Sequence, residues 1–394
     1  MADLPRSAPV VVVGGGAVGT STLFHLAATG CRDAVLVERD TLGSGSTGAA
    51  AGGIRAQFSD VLNVRVAREC AARFARFADE VGGDIGYHRC GYLFLLREDE
   101  VAAFEASVAV QRSLGVETAV LRPDEAAELV PGLRTDDLAA ATFNPTDGCA
   151  DPGAVVQGYA AAARRAGARV VQGTAARRIL VERGRVAGVD TTDGTIACDR
   201  VVCAAGVWSR ELAATAGVDL PVRPERRYVH IAEDGGGAAG GGTVGAAGGS
   251  GGLPAEVPLT IDFASGFYFH RERPGAPRLL VGGPWAGVDD LAPVALHRVP
   301  ALADVPIRRG WSGYYEMSPD HNAVVGAAPE PAGFLYGTGF SGHGFQQAPV
   351  VGEYLAALAL DRPPPLDLSP FSLARFGPSP GSAPAAPRPE AHVV

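Results

Sequence analysis

Residues 10–40 read VVVVGGGAVGTSTLFHLAATGCRDAVLVERD, and the fold turns on them. Residues 9–13 are a short apolar run, the pattern of a strand buried on both faces of a parallel sheet. Residues 17–29 carry apolar positions at helical spacing, with Gly30 placed as a C-cap. A second buried strand, 34–37, ends at Glu38, which completes one β-α-β unit of about 30 residues. Gly14, Gly16 and Gly19 spell GxGxxG between the strand and the helix. The first glycine permits the tight turn, the second lets a pyrophosphate approach the backbone, and the third lets helix and strand pack closely. The phosphates then meet the N–H groups of the first helical turn, at Ala17 and Val18. Glu38, with Arg39 beside it, stands where an acid accepts ribose hydroxyls and disfavours a 2′-phosphate. The alternative is a glycine turn without a ligand. The strand–helix context favours a dinucleotide, but the motif alone does not choose between NAD and a flavin.

The chain has 394 residues, long enough for two domains. Its apolar fraction of 47% is ordinary for a folded protein. There is no uninterrupted apolar run of about 18 residues, so no membrane span is expected. The N-terminus lacks signal-peptide form. A net charge of −9 without any basic block argues against a nucleic-acid-binding face. Cysteines 31, 70, 90, 149, 198 and 203 are scattered without a CxxC, which reads as isolated buried thiols, with no metal site expected. The expectation is a soluble cytoplasmic protein.

Further along, residues 63–80 have the pattern of an amphipathic helix and 92–96 (YLFLL) that of a strand. Asp151 as N-cap and Pro152 in the first turn start a helix that runs to about Arg165. Strands are expected at 168–171, 179–182, 185–191, 195–197 and 200–203, with turns at Arg183-Gly184 and Asp193-Gly194. Residues 235–252 are nearly all Gly and Ala, too little side chain to offset ordering entropy, and read as a flexible surface loop. Strands at 259–261, 266–270 and 278–282 belong to a second sheet. A last helix, 346–360, stops before Pro363, and the Pro/Ala/Ser-rich tail 377–394 is expected to be disordered.

Five segments, VVVVGGGAVGTSTLFHLA, VLVERDTLGSGSTGAAAGGIRAQFS, VVCAAGVWS, GWSGYYEMSPDHNAVVG and GTGFSGHGFQQAPVVGEYLA, occur here in the order they take in the D-amino-acid oxidase superfamily of flavoproteins. Over residues 9–375 the chain resembles the group of sarcosine oxidase β-subunits, glycine oxidases and dye-linked proline dehydrogenases. The resemblance implies an α/β fold: a Rossmann-like FAD-binding domain with a second, β-rich substrate domain. The first is assembled from 8–80, 150–215 and 308–376, the second from 81–149 and 216–307. It also implies extended FAD, and with Gly313 at the flavin-linking position noncovalent FAD is expected. The residues agree, since three distant glycine-rich segments, around 14–19, 43–53 and 337–344, can close on one long cofactor. In the second, Ser44, Ser46 and Thr47 can bond phosphate or ribityl oxygens, and Gly52 and Gly53 admit the ring edge. Read alone, that segment is equally a flexible loop. The family pattern adds Ala205, Gly206 and Trp208, Gly313, and the turn Gly339, Ser341, Gly342, His343, Gly344 and Phe345. There the last helix points its N-terminus at the flavin N1–C2=O end, where reduction places negative charge.

Enzymes of this family oxidise a C–H beside an amine nitrogen by hydride transfer to flavin N5, and the imine hydrolyses. The cofactor carries the chemistry and the protein supplies orientation and electrostatics. Arg55 matches an arginine near the ring's reactive face, suited to a substrate carboxylate. Tyr228, next to Arg227, and Tyr268 and His270, on one face of a strand, are pocket candidates or structural residues. Three positions depart from monomeric sarcosine oxidase. Gly313 replaces the flavin-linking cysteine, Leu280 the oxygen-activating lysine, and Gln346 a carboxylate-binding lysine. The expected activity is therefore oxidation of a secondary amine or small amino acid, with oxygen or another electron acceptor. The alternative is a non-catalytic flavoprotein subunit or assembly factor that needs a partner chain.

Overall fold

The computed structural model describes residues 4–233, 253–377 and 389–393. Val11–Val13 (β1) is fully buried and lies inside a six-stranded sheet. Val11 pairs in parallel with Val35 of β2 (Val35–Glu38) on one side and with Val201 of the strand Val201–Cys203 on the other. Arg169–Gln172 extends the sheet beyond β2, and Phe334–Thr338 extends it beyond Val201–Cys203. Val324–Ala327 adds the antiparallel edge. Strand alternation sends Val12 and Leu36 to one face and Val11, Val13, Val35 and Val37 to the other. The first face is covered by α1 (Ala17–Ala28) and the helix Pro152–Arg165. The second packs on an antiparallel three-stranded sheet, residues 176–197. Burial on both faces explains why β1 and β2 read as continuous apolar runs.

The short strand β3 (Gly53–Ile54) pairs with β4 (Gly148–Cys149) at the junction with a larger sheet. That second sheet has eight strands. One end of it holds β5 (Arg223–Glu233), β6 (Phe267–Arg271), β7 (Arg278–Gly283) and β8 (Ile307–Met317), in the spatial order β8-β5-β7-β6. Leu259–Asp262, Tyr92–Leu96, Ala140–Asn144 and Ala119–Leu121 complete it. The expected domain boundary at 308 falls inside β8, which pairs with β5 from Ile307 to Met317 and so belongs to this sheet. Only after β8 does the chain return to the first sheet. The Gly/Ala stretch 235–252 lies outside the described residues.

The final helix, α2 (Gly344–Ala359), crosses α1 at close range: a Cβ on Gly352 would lie 2.2 Å from Ser21 Oγ. The tail departs from its composition. Residues 389–393 are docked, with Glu390 and His392 each 1% exposed. The Glu390 carboxylate accepts from Ser59 N, Asn63 Nδ2 and His392 N, and the His392 ring stacks on Phe104 at 4.1 Å. A bulk bias toward Pro and Ala does not reveal two anchoring side chains.

In an open helical site Gly→Ala stabilises a protein. Gly352→Ala should do the opposite, lowering unfolding stability by about 1–3 kcal/mol through overpacking. Urea denaturation reads this, and a gain in stability would show that the α1–α2 contact is loose.

Candidate active site

A cavity of about 490 Å³ runs from the glycine turn of β1–α1 to the face of the second sheet. At its nucleotide end Gly14 has φ +111°, and a Cβ there would lie 2.3 Å from the Ala204 carbonyl oxygen, so only glycine fits. Gly16, Ala17 and Val18 present the first turn of α1 to the cavity. The Thr47 hydroxyl accepts from Ala17 N at 3.1 Å, so it engages the helix start directly. Glu38 lines the wall with both carboxylate oxygens aligned by backbone, accepting from Gly15 N at 2.7 Å and Asp40 N at 2.9 Å. Beside it the Arg39 guanidinium stacks on Trp208 at 3.6 Å. Ser44, Ser46, Gly52, Gly53, Ala205 and Gly206 also line the cavity. The Ser46 hydroxyl donates to the Tyr314 carbonyl at 2.7 Å, which joins the 43–53 segment to β8.

At the other end, α2 starts against the cavity with His343 as N-cap. The Gln346 side-chain oxygen accepts from Arg55 N at 2.7 Å, and His343 Nε2 lies 3.1 Å from Arg55 Nη2. Burial and the Arg55 charge hold the His343 imidazole well below its ordinary value, hence neutral. Arg55 itself is buried over the Phe58 ring and donates to the carbonyls of Gln57 and His392. Gly313, Ser341, Gly342, Gly344 and Phe345 complete this wall. A Cβ on Gly342 would lie 2.6 Å from the Tyr315 ring, and one on Gly282 would lie 2.0 Å from Tyr268, so two glycines make room for two phenols.

Four expected residues lie off the cavity wall. Gly19 and Gly339 act by packing: their Cβ positions would meet the Gly14 oxygen at 1.9 Å and Val324 at 2.8 Å. Tyr228 is out of phase on β5, where Arg227 and Val229 are the lining residues. His270 shares a face with Tyr268 but sits deeper, with Nδ1 2.7 Å from the Arg271 oxygen and 3.8 Å from Cys149 Sγ. Leu280, opposite His270, is buried and also off the wall. Arg227, which the sequence placed beside Tyr228 between a pocket and a structural role, lines the cavity, as do Tyr92, Tyr315, Glu316 and His392, which the sequence reading missed. For Arg227 the signal was present, one residue from Tyr228, but the strand phase was not. Cys90 and Cys149 are not isolated thiols: their sulfurs lie 3.7 Å apart.

The sequence matches the FAD dependent oxidoreductase (DAO) family over residues 9–358, and the chain belongs to that family. FAD-dependent oxidoreductase domain-containing protein 1 of Xenopus laevis is 31% identical, over 94% of this chain and 83% of the relative. The 4-methylaminobutanoate oxidase (formaldehyde-forming) of Paenarthrobacter nicotinovorans is also 31% identical, but this chain spans only 46% of its length. Among solved structures, L-proline dehydrogenase from P. horikoshii superposes with a TM-score of 0.83 at 31% identity, covering 95% of this chain and 98% of that one. Glycine oxidase from Geobacillus kaustophilus gives a TM-score of 0.80 at 27% identity, covering 94% and 100%. The protein is an FAD-dependent enzyme of the amine and amino-acid oxidase and dehydrogenase class. Among the described residues no helix is long and apolar enough to cross a membrane.

The cavity suits FAD. Backbone N–H groups and an acid line one end, small residues line the middle, and a helix N-terminus closes the other. Among the described residues no cysteine lines the wall to form a thioether to the flavin. If Glu38 binds the ribose, Glu38→Ala removes charge-assisted bonding of about 1.5–3 kcal/mol. FAD affinity should then fall roughly ten- to a hundredfold. Quenching of flavin fluorescence on titrating the apoprotein measures this, and unchanged affinity would remove Glu38 from the ribose.

Glu316 gives a second prediction. Burial pushes its carboxyl up to about 7, against hydrogen bonds from the Thr338 hydroxyl and the Gly339 and Phe340 amides. Between the ordinary carboxyl value and about 7 the folded chain keeps a proton that the unfolded chain has lost, so stability falls as pH rises through that window. Glu316→Gln should flatten this part of the pH profile of apoprotein thermal unfolding. An unaltered slope would place the proton elsewhere.

Proposed function

We propose that this enzyme oxidises the C–N bond of a small amino acid, primary or N-alkylated, to an imine, with the substrate carboxylate held by Arg227. The observation that carries this reading is the state of the two cavity-lining arginines on the substrate side. Arg55 is occupied, its guanidinium bonded to two main-chain carbonyls and His343. Arg227 keeps its Nε buried without a hydrogen-bond partner among the described residues. It is oriented from one side by Glu225, 2.5 Å from Nη1, and by the Tyr315 ring. A buried N–H without a partner costs about 1–3 kcal/mol, which a carboxylate oxygen would recover.

The sequence contains no lysine; all 34 basic side chains are arginines. No lysine ammonium can therefore hold the carboxylate, which leaves guanidinium groups as the fixed side-chain cations for that role. Bound FAD supplies the two-electron acceptor. Around the substrate, burial holds the Tyr92, Tyr268 and Tyr315 phenols above their ordinary value, so they remain neutral donors. Leu259 and Ile261 give the same wall an apolar part. The docked His392 closes the pocket near Arg55, which limits the substrate to a small side chain. Relatives whose names state an activity are enzymes, including sarcosine dehydrogenase of Homo sapiens, which does not favour the non-catalytic reading.

Anaerobic mixing with N-methylglycine, glycine and proline should bleach the flavin band, whereas the corresponding amines without a carboxylate should not. Arg227→Met should raise the amino-acid concentration for half-maximal bleaching roughly ten- to a hundredfold, the loss of a charged bidentate contact. Equal bleaching by acids and amines would sink the carboxylate role. No bleaching by any amine would sink the reading as a whole.

A further inference from the structure

Outside the cavity, the structure assembles a soft-donor cluster from His88, Cys90 and Cys149. One ligand atom from each lies within 4.8 Å of the other two. Its framework is backbone. His88 and Cys149 face each other across an antiparallel bridge, exchanging two N–H···O bonds of 3.0 Å. Cys90 follows two residues along the same segment, so its side chain reaches Cys149 diagonally. The cysteines are 59 residues apart in sequence, which is why no spacing motif announces them.

We propose that His88, Cys90 and Cys149 form a binding site for a zinc-class divalent cation. Two thiolates about 2.3 Å from one tetrahedral zinc lie about 3.8 Å from each other. The two sulfurs here are 3.7 Å apart, which matches that edge and is far from the roughly 2.05 Å of a disulfide. The imidazole is prepared in the same sense. His88 Nδ1 lies 3.1 Å from the Gly86 carbonyl oxygen, so it carries the proton and leaves the Nε2 lone pair for a metal, the arrangement common in metal-ligating histidines. His88 and Cys90 are only partly buried, which gives the cation an entry path and leaves the fourth position to water. On binding, each thiol ligates as a thiolate and releases its proton to solvent.

The site has a mechanical consequence. Cys149 belongs to β4, which pairs with β3, and β3 leads directly into Arg55. An occupied site therefore ties the 86–91 segment to the strand pair that carries the cavity's buried arginine.

The test uses the reduced, FAD-loaded enzyme dialysed against zinc and then against metal-free buffer, with metal counted by elemental analysis. About one equivalent should remain, and X-ray absorption at the zinc edge should show two sulfurs at about 2.3 Å and nitrogen or oxygen at about 2.0 Å. Cys90→Ser and His88→Ala, both at partly exposed positions, should lose the retained zinc while keeping the flavin spectrum that reports folding. Retention of the same zinc by both variants would overturn the site. So would failure of the reduced wild type to retain any, whether or not Cys90 and Cys149 then oxidise to a disulfide.

Discussion

The molecule depends on an approach that side chains would prevent. A pyrophosphate reaches the start of α1 only if the turn between β1 and α1 carries nothing beyond backbone. Gly14 meets the Ala204 carbonyl and Gly19 meets the Gly14 carbonyl at distances that no Cβ allows. Once that turn is set, its amides are in place, Glu38 is held by Gly15 N, and the Thr47 hydroxyl meets Ala17 N. The anion is met by oriented dipoles, without any lysine in the chain. At the substrate end Arg55 and Arg227 supply the cations, where a planar fork is of more use than a point charge.

Legibility in the sequence followed the range of the interaction. The β1–α1–β2 unit is local, with its period, cap and turn residues contained in 30 positions, and it appears where the pattern placed it. Arg55 and Gln346 are 291 residues apart, yet both sit in recognisable segments, and the structure joins them through one hydrogen bond. What failed depended on phase or on partners. Tyr228 and Arg227 differ by one residue on a strand, and a period of two makes that the difference between outside and inside. Gly19 packs helix against strand as its place in the motif implies, whereas Gly339, placed with the cofactor turn, also does its work in packing. Cys90 and Cys149 meet only because a bridge aligns two loops. Glu316 has no local signature, since its state follows from burial that the fold imposes.

The docked segment 389–393 shows a similar limit. Composition predicts disorder where side chains are too poor to offset ordering entropy, an average over a stretch. Glu390 escapes the average because its carboxylate finds three donors in one buried place. The segment also bears on the site's chemistry. His392 gives Arg55 a carbonyl partner, so the donors of one arginine are taken up while Arg227 keeps its Nε for a ligand.

The contact between α1 and α2 also bears on how the protein is made. α1 ends at Ala28 and α2 begins at Gly344, so the helix that packs on the nucleotide turn is synthesised long after the turn itself. Until it arrives, α1 lacks one of its two helical neighbours and the flavin end of the cavity lacks a wall. Contacts of such long sequence separation form late and slowly. Closure of the cofactor site thus waits on α2, and until that helix is made the first sheet stays part-covered.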